Sequence, residues 1–131
     1  MKFLIILLIL FSTTSLAFAD TGYVSAQISS DVHTLTVGNQ IMITTDISNN
    51  QNTQQSFAYL TQVKDENQAV ISLSWLTGSL SPRQSFSPAQ SWTPTESGLY
   101  VIEIFVWESI DNPEALSPPL SMTVTVVDPN T

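Results

Sequence analysis

Apolar residues in this chain come in short runs that alternate with Ser, Thr and other polar residues, and no stretch past residue 20 repeats them at the three-to-four spacing of a helix. A chain that buries one side at period two does so as β-strands, because successive side chains leave a strand on opposite faces. The clearest run is "QIMITTDIS" (40–48), in which Ile41, Ile43, Thr45 and Ile47 share one side and Met42, Thr44, Asp46 and Ser48 the other. Isoleucine belongs in a core and aspartate in water, so the first set is expected inside. Before it, "YVSAQIS" (23–29) and "HTLTV" (33–37) read as one broken strand, closed by a turn at Gly38-Asn39. After a polar loop at 49–55 comes "SFAYLTQVK" (56–64), with Phe57, Tyr59, Thr61 and Val63 on the expected inner side. "DENQ" (65–68) is a hairpin turn, and "AVISLSWL" (69–76) runs back with Ile71, Leu73 and Trp75 on one face. Residues 77–84 read as a loop and 85–92 as a weaker strand, where Pro88, lacking an N–H, belongs at an edge or a bulge. A strand at 99–107, a long loop at 108–119 and a last alternating strand at 120–127 complete the chain. Seven or eight short strands at this spacing predict an all-β fold, a two-sheet β-sandwich.

The first residues follow a different rule. Lys2 precedes the apolar run "FLIILLILF" (3–11), and Ala17-Phe18-Ala19 has the small-x-small form of a cleavage site. Residues 1–19 are therefore expected to be a signal peptide, removed before Asp20, with residues 20–131 as one exported domain. The run is too short to hold the chain in a bilayer, so no stable membrane span is expected after cleavage. The chain has no cysteine, which excludes disulfides and a lipidated cysteine. Without Lys2, two basic residues, Lys64 and Arg83, stand against eleven acidic ones, and the formal net charge moves from −8 to −9. Such a chain is repelled by nucleic acid and by anionic membranes.

The stretch "SWTPTESGLYVIEIFVW" (91–107) departs from alternation, since 99–107 is broken by only one charge, Glu103. Its start, "ESGLYVI", resembles the tyrosine corner that precedes the penultimate strand of immunoglobulin-like domains, with Glu96, Gly98 and Tyr100 as the corner residues. That resemblance implies that the Tyr100 hydroxyl bonds back to nearby backbone, that Ile102 stands where antibody domains carry a cysteine, and that Trp92 is the core tryptophan. The longer strings "VGNQIMITTDISNNQ" and W-T-P-x-x-x-G-x-Y are similar to the adhesion-related, CARDB-type immunoglobulin-like modules of bacterial and archaeal secreted proteins. The similarity covers residues 37–126. It implies an immunoglobulin-like sandwich and a role at the cell surface.

If Tyr100 and Ile102 point inward, so do Ile104 and Val106, and Leu99, Val101, Glu103, Phe105 and Trp107 point outward. An outward Glu103 fits, because a lone carboxylate is costly in a core. Two readings of the outward aromatics stay open. Either the 108–119 loop covers them, or Val101, Phe105 and Trp107 form a candidate interaction patch for another protein, a cell-surface component or a second copy of the chain.

Catalytic constellations are missing. The single His33 lacks partners for metal or acid–base work, the serines lack a base, and Glu103 and Glu108 have nothing to bring them to acid–base geometry. No phosphate loop or calcium loop is present, so no cofactor and no metal are expected. The expected function is a secreted, non-enzymatic interaction or structural module of the cell surface that binds a protein, surface layer or glycan. The alternative is a small secreted protease inhibitor acting through its end loops, 77–84 with Arg83 and 108–119.

Overall fold

Alternation resolves into nine strands in the computed structural model of the chain, which describes residues 23–129. They are β1 (Val24–Ile28), β2 (Thr34–Thr36), β3 (Ile41–Asn49), β4 (Gln55–Lys64), β5 (Val70–Leu80), β6 (Ser85–Phe86), β7 (Ala89–Trp92), β8 (Gly98–Trp107) and β9 (Leu120–Val127). The expected signal peptide and the cleavage point before Asp20 lie outside the described residues. One sheet has β3 at its centre, with β1 on one side and β6 and then β7 along the other. The second runs β2-β9-β8-β4-β5. Every pairing is antiparallel except β2 with β9. This is the two-sheet β-sandwich that the spacing predicts, in the immunoglobulin-like form that the resemblance implies.

The alternating sets meet between the sheets. Ile41, Ile43, Thr45 and Ile47 of β3 are buried, as are Phe57, Tyr59, Thr61 and Val63 of β4. From β8 and β9 come Ile102, Ile104, Val106, Val124 and Val126. Each fully buried aliphatic side chain contributes roughly 1.5–3 kcal/mol. Tyr59 is a buried polar link across this core, where its hydroxyl donates to Thr45 Oγ1 at 2.8 Å. A buried hydroxyl without such a partner would cost more than it contributes.

The strand count exceeds seven or eight for two local reasons. The broken first strand changes sheets, so that β1 pairs with β3 and β2 with β9. The 85–92 segment is split at Pro88, whose carbonyl still accepts from the Thr45 N–H at 3.1 Å. The segment expected as a loop at 77–84 is shorter than that, because β5 continues to Leu80, which pairs with Gln55. Gly78 lets this extension pack against the Phe57 ring, from which a Cβ there would lie 3.2 Å. Asn49 then ties the strand ends together. It is buried, and its Nδ2 donates to Thr53 and Ser81 carbonyls at 2.8 and 3.0 Å while its Oδ1 accepts from the Gln51 N–H at 3.1 Å.

Candidate interaction face

The corner residues set which way β8 faces. Tyr100 is buried, and its hydroxyl donates to the Glu96 carbonyl at 2.7 Å. Its ring meets the buried Trp92 edge-on, with centroids 5.1 Å apart. Burial, helped by the carboxylates of Glu96, Asp65 and Glu66, pushes the Tyr100 hydroxyl up from its ordinary pKa. Gly98 enters the corner at φ +151°, and a Cβ there would lie 3.1 Å from Glu66 Oε2. The positive φ is what favours glycine, since the exposed Glu66 side chain can give way. With Tyr100, Ile102, Ile104 and Val106 inward, the residues between them form part of the outer face of the five-stranded sheet.

Strand register assembles that face in rows. Trp75 of β5, Leu60 of β4 and Phe105 of β8 lie side by side. The next row toward the strand ends is Thr77, Ala58 and Trp107, and on the other side comes Leu73, Gln62 and Glu103. Phe105 and Trp107 are half-buried, with ring centroids 5.9 Å apart. Leu60 and Ala58 point outward between larger neighbours and are nonetheless 7% and 0% exposed. Trp75, Leu73 and Ile71 are 57%, 50% and 46% exposed, the last at a bulge opposite Lys64. The most exposed large apolar side chains of this face, Trp75 with Leu73 and Val70 at 50% each, therefore stand on β5.

The 108–119 loop stays beside β8. Leu116 N–H donates to the Val106 carbonyl at 2.8 Å, Glu108 N–H to the Glu114 carbonyl at 2.9 Å, and Trp107 bridges Ala115. Leu116 and Ser117 are buried. The loop thus extends the sheet past the start of β9, and Val101, Phe105 and Trp107 are left half-buried. Sequence reasoning placed these three on the outer face and missed Ile71, Leu73 and Trp75 as its open part. Their alternation showed that they share a face. The hairpin register, Val63 against Ser72, decides that the face is the outer one.

Three polar side chains on the face, Gln62, Glu103 and Lys64, satisfy one another. Glu103 Oε1 accepts from Gln62 Nε2 at 2.7 Å and pairs with Lys64 Nζ at 3.1 Å. The Gln62 hydrogen bond and Lys64 hold the Glu103 carboxyl below the ordinary range, against partial burial that pushes it up. Glu108 instead accepts from Asn112 Nδ2 at 2.6 Å, so the two glutamates serve separate contacts. His33 is exposed and paired with Asp31 at 3.0 Å. Among the described residues no three His, Cys, Asp or Glu side chains converge as a metal site, and no helix is long and apolar enough to cross a membrane.

No protein-family model matches this sequence, and no curated protein does. Solved structures do. The crystal structure of the CARDB domain of the PF1109 protein from Pyrococcus furiosus, in complex with di-metal ions, superposes with a TM-score of 0.59 at 19% identity, covering 79% of this chain and 85% of that one. The solution structure of the same domain gives 0.62 at 21% identity, over 80% and 94%. A β-glucosidase from Listeria innocua in complex with glucose matches with a TM-score of 0.61 at 15% identity, and there 79% of this chain covers only 16% of the enzyme. The likeness to the glycosidase is therefore to one domain of it. The chain has the fold of a CARDB-type immunoglobulin-like domain.

Proposed function

We propose that this chain is a secreted, non-enzymatic interaction module of the cell surface that docks a partner protein through the outer face of its five-stranded sheet. One observation carries the reading: the row Trp75–Leu60–Phe105, flanked by Leu73 and Trp107, is a contiguous apolar strip whose open end is half exposed to water. An exposed side chain of this size forgoes roughly 1.5–3 kcal/mol of burial that a contact would recover. The strip is rimmed by the satisfied group of Gln62, Glu103 and Lys64, the apolar centre and polar rim of a protein interface. Two aliphatic chains beside the one widely exposed indole suit a protein surface better than a sugar ring, which needs flat stacking partners. The CARDB-type fold supports a surface role, and the leader-like residues 1–19 support export.

Isolated envelopes of the producing cells test the docking. Wild-type chain should be retained, Trp75→Ser with Phe105→Ser should reduce retention at least about tenfold, the loss of about 1.4 kcal/mol, and Met42→Ser on the other sheet should not change it. Equal retention of the double variant refutes the face. N-terminal sequencing of the exported protein should begin at Asp20, and a retained Met1 refutes the leader.

A further inference from the structure

Edge strands of the two sheets are guarded unequally. β2 has three residues and β1 five, and the β6–β7 edge is split at Pro88 into pieces of two and four. β5 runs for eleven residues with neither a charged side chain nor a proline. It pairs with β4 alone, its bulge sits at its beginning, and among the described residues no loop backbone hydrogen-bonds it between Val70 and Ser79. Its far side is a row of N–H and C=O groups open to a further strand. Folded proteins ordinarily interrupt such rows with charge, proline or shortness, and here none of these is used.

We propose that β5 pairs with β5 of a second copy, antiparallel about a two-fold axis passing between one of residues 73–75 and its own counterpart, so that the two five-stranded sheets become one continuous sheet. Antiparallel partners share a face only when their numbers sum to an even value, so one residue of the three must meet its own counterpart. Three features select a second copy as the occupant. The strand is self-complementary, because uncharged residues meet uncharged residues throughout despite the acidity of the whole chain. Leu73 and Trp75, half exposed in one copy, gain cross-strand apolar neighbours. The two-fold also sets opposite ends together. The loop that follows β5 carries the exposed Arg83, whose Nε bonds Asn52 at 3.0 Å, and it comes beside the other copy's 65–68 turn with Asp65 and Glu66. The closed two-fold contact satisfies both β5 edges at once and leaves no β5 edge to propagate. Edge pairing leaves the outer face uncovered, so it goes beyond the docking proposed above and does not depend on it.

The absence of cysteine from the chain makes single substitutions a direct readout. In sedimentation equilibrium of the purified chain, the mass should double between micromolar and millimolar concentration. Leu73→Lys and Trp75→Lys each bring a charge from both copies into an otherwise uncharged seam and should weaken association at least tenfold. Phe105→Ser, on the same face but off the edge, should leave it unchanged. Leu73→Cys, Ser74→Cys and Trp75→Cys, oxidised separately, should give a disulfide-linked pair strongly at one position, the one that faces itself, whereas Met42→Cys should give none. Facing residues come within disulfide reach, and residues two places away do not. The cysteine scan keeps the test decisive even where a lysine variant fails to fold. A monomer at millimolar concentration overturns the proposal. So does association that survives both lysine variants and is lost in Phe105→Ser, since that result marks face-to-face contact. No envelope component is present in these measurements, so their failure and the failure of docking are separate results.

Discussion

Tyr100 and Asn49 show how much single polar side chains fix in a sandwich without disulfides. The Tyr100 ring is core, and its hydroxyl spans to Glu96 across the corner. Tyr100→Phe keeps the ring and removes the bond, and should cost about 1 kcal/mol in a denaturant melt. Asn49 is buried with both ends of its amide in use. Asn49→Ala removes donors and acceptor together and strands buried backbone groups, so the loss should reach about 3 kcal/mol, clearly above that of Tyr100→Phe. Equal losses would mean that the loops at 50–54 and 81–84 are not tied through Asn49. The corner was legible in the residues, since Tyr100 and Gly98 sit at a recognisable spacing. The role of Asn49 was not. In the sequence it belongs to a run of polar residues at 49–55, and nothing local distinguishes the one that turns inward.

At the scale of strands, alternation tells which side chains share a face and leaves open which face is buried. For β3 the composition settles this, because isoleucines alternate with a set containing Asp46. For β5 composition points the wrong way. Ile71, Leu73 and Trp75 look like core beside Ser72 and Ser74, yet pairing of Ser72 with the inward Val63 turns the serines in. Ser74 Oγ then hydrogen-bonds Gln90 Oε1 of β7, a contact between the two sheets that a large apolar side chain could not make. Long-range pairing outweighs local hydrophobicity at such an edge. The two ends of the apolar row should respond differently to truncation. Trp75→Ser should change stability by no more than about 0.5 kcal/mol, as exposed positions do. Phe105→Ser uncovers Leu60 and should cost about 2 kcal/mol. Thermal or denaturant melts of the two variants check this, and a large loss at Trp75 would place that side chain under cover.

For the molecule as a whole, acidity sets the background and one carboxylate, Glu103, adds to the acid limb of the pH profile. Eleven acidic residues face three basic ones, so every well-placed cation counts. Glu103 has its pKa lowered in the folded state, chiefly by Gln62 and then by Lys64. A carboxylate depressed by folding adds stability above its unfolded pKa, about 4.3, and this contribution is lost as pH falls through the lower folded value. Wild-type stability should therefore decline on that acid limb more steeply than that of Glu103→Gln, measured by denaturant midpoints across the range. Parallel profiles would show that the pair contributes nothing.

The one parallel pairing has a mechanical meaning. β2 lies near the beginning of the described chain and β9 near its end, and they run the same way, with Thr34 opposite Thr125 and Thr36 opposite Val127. The Thr125 N–H donates to the His33 carbonyl at 2.8 Å, and the Val37 N–H to the Val127 carbonyl at 2.9 Å. A pull that separates the two ends of the domain drags these strands past each other along their length. The bonds between them are then loaded in shear and must give way together, whereas a hairpin pulled from its open end unzips one bond at a time. A pull on the two ends meets β1 on β3 from one side and this short seam from the other, and once β1 has peeled away the seam alone holds β9 until it slips.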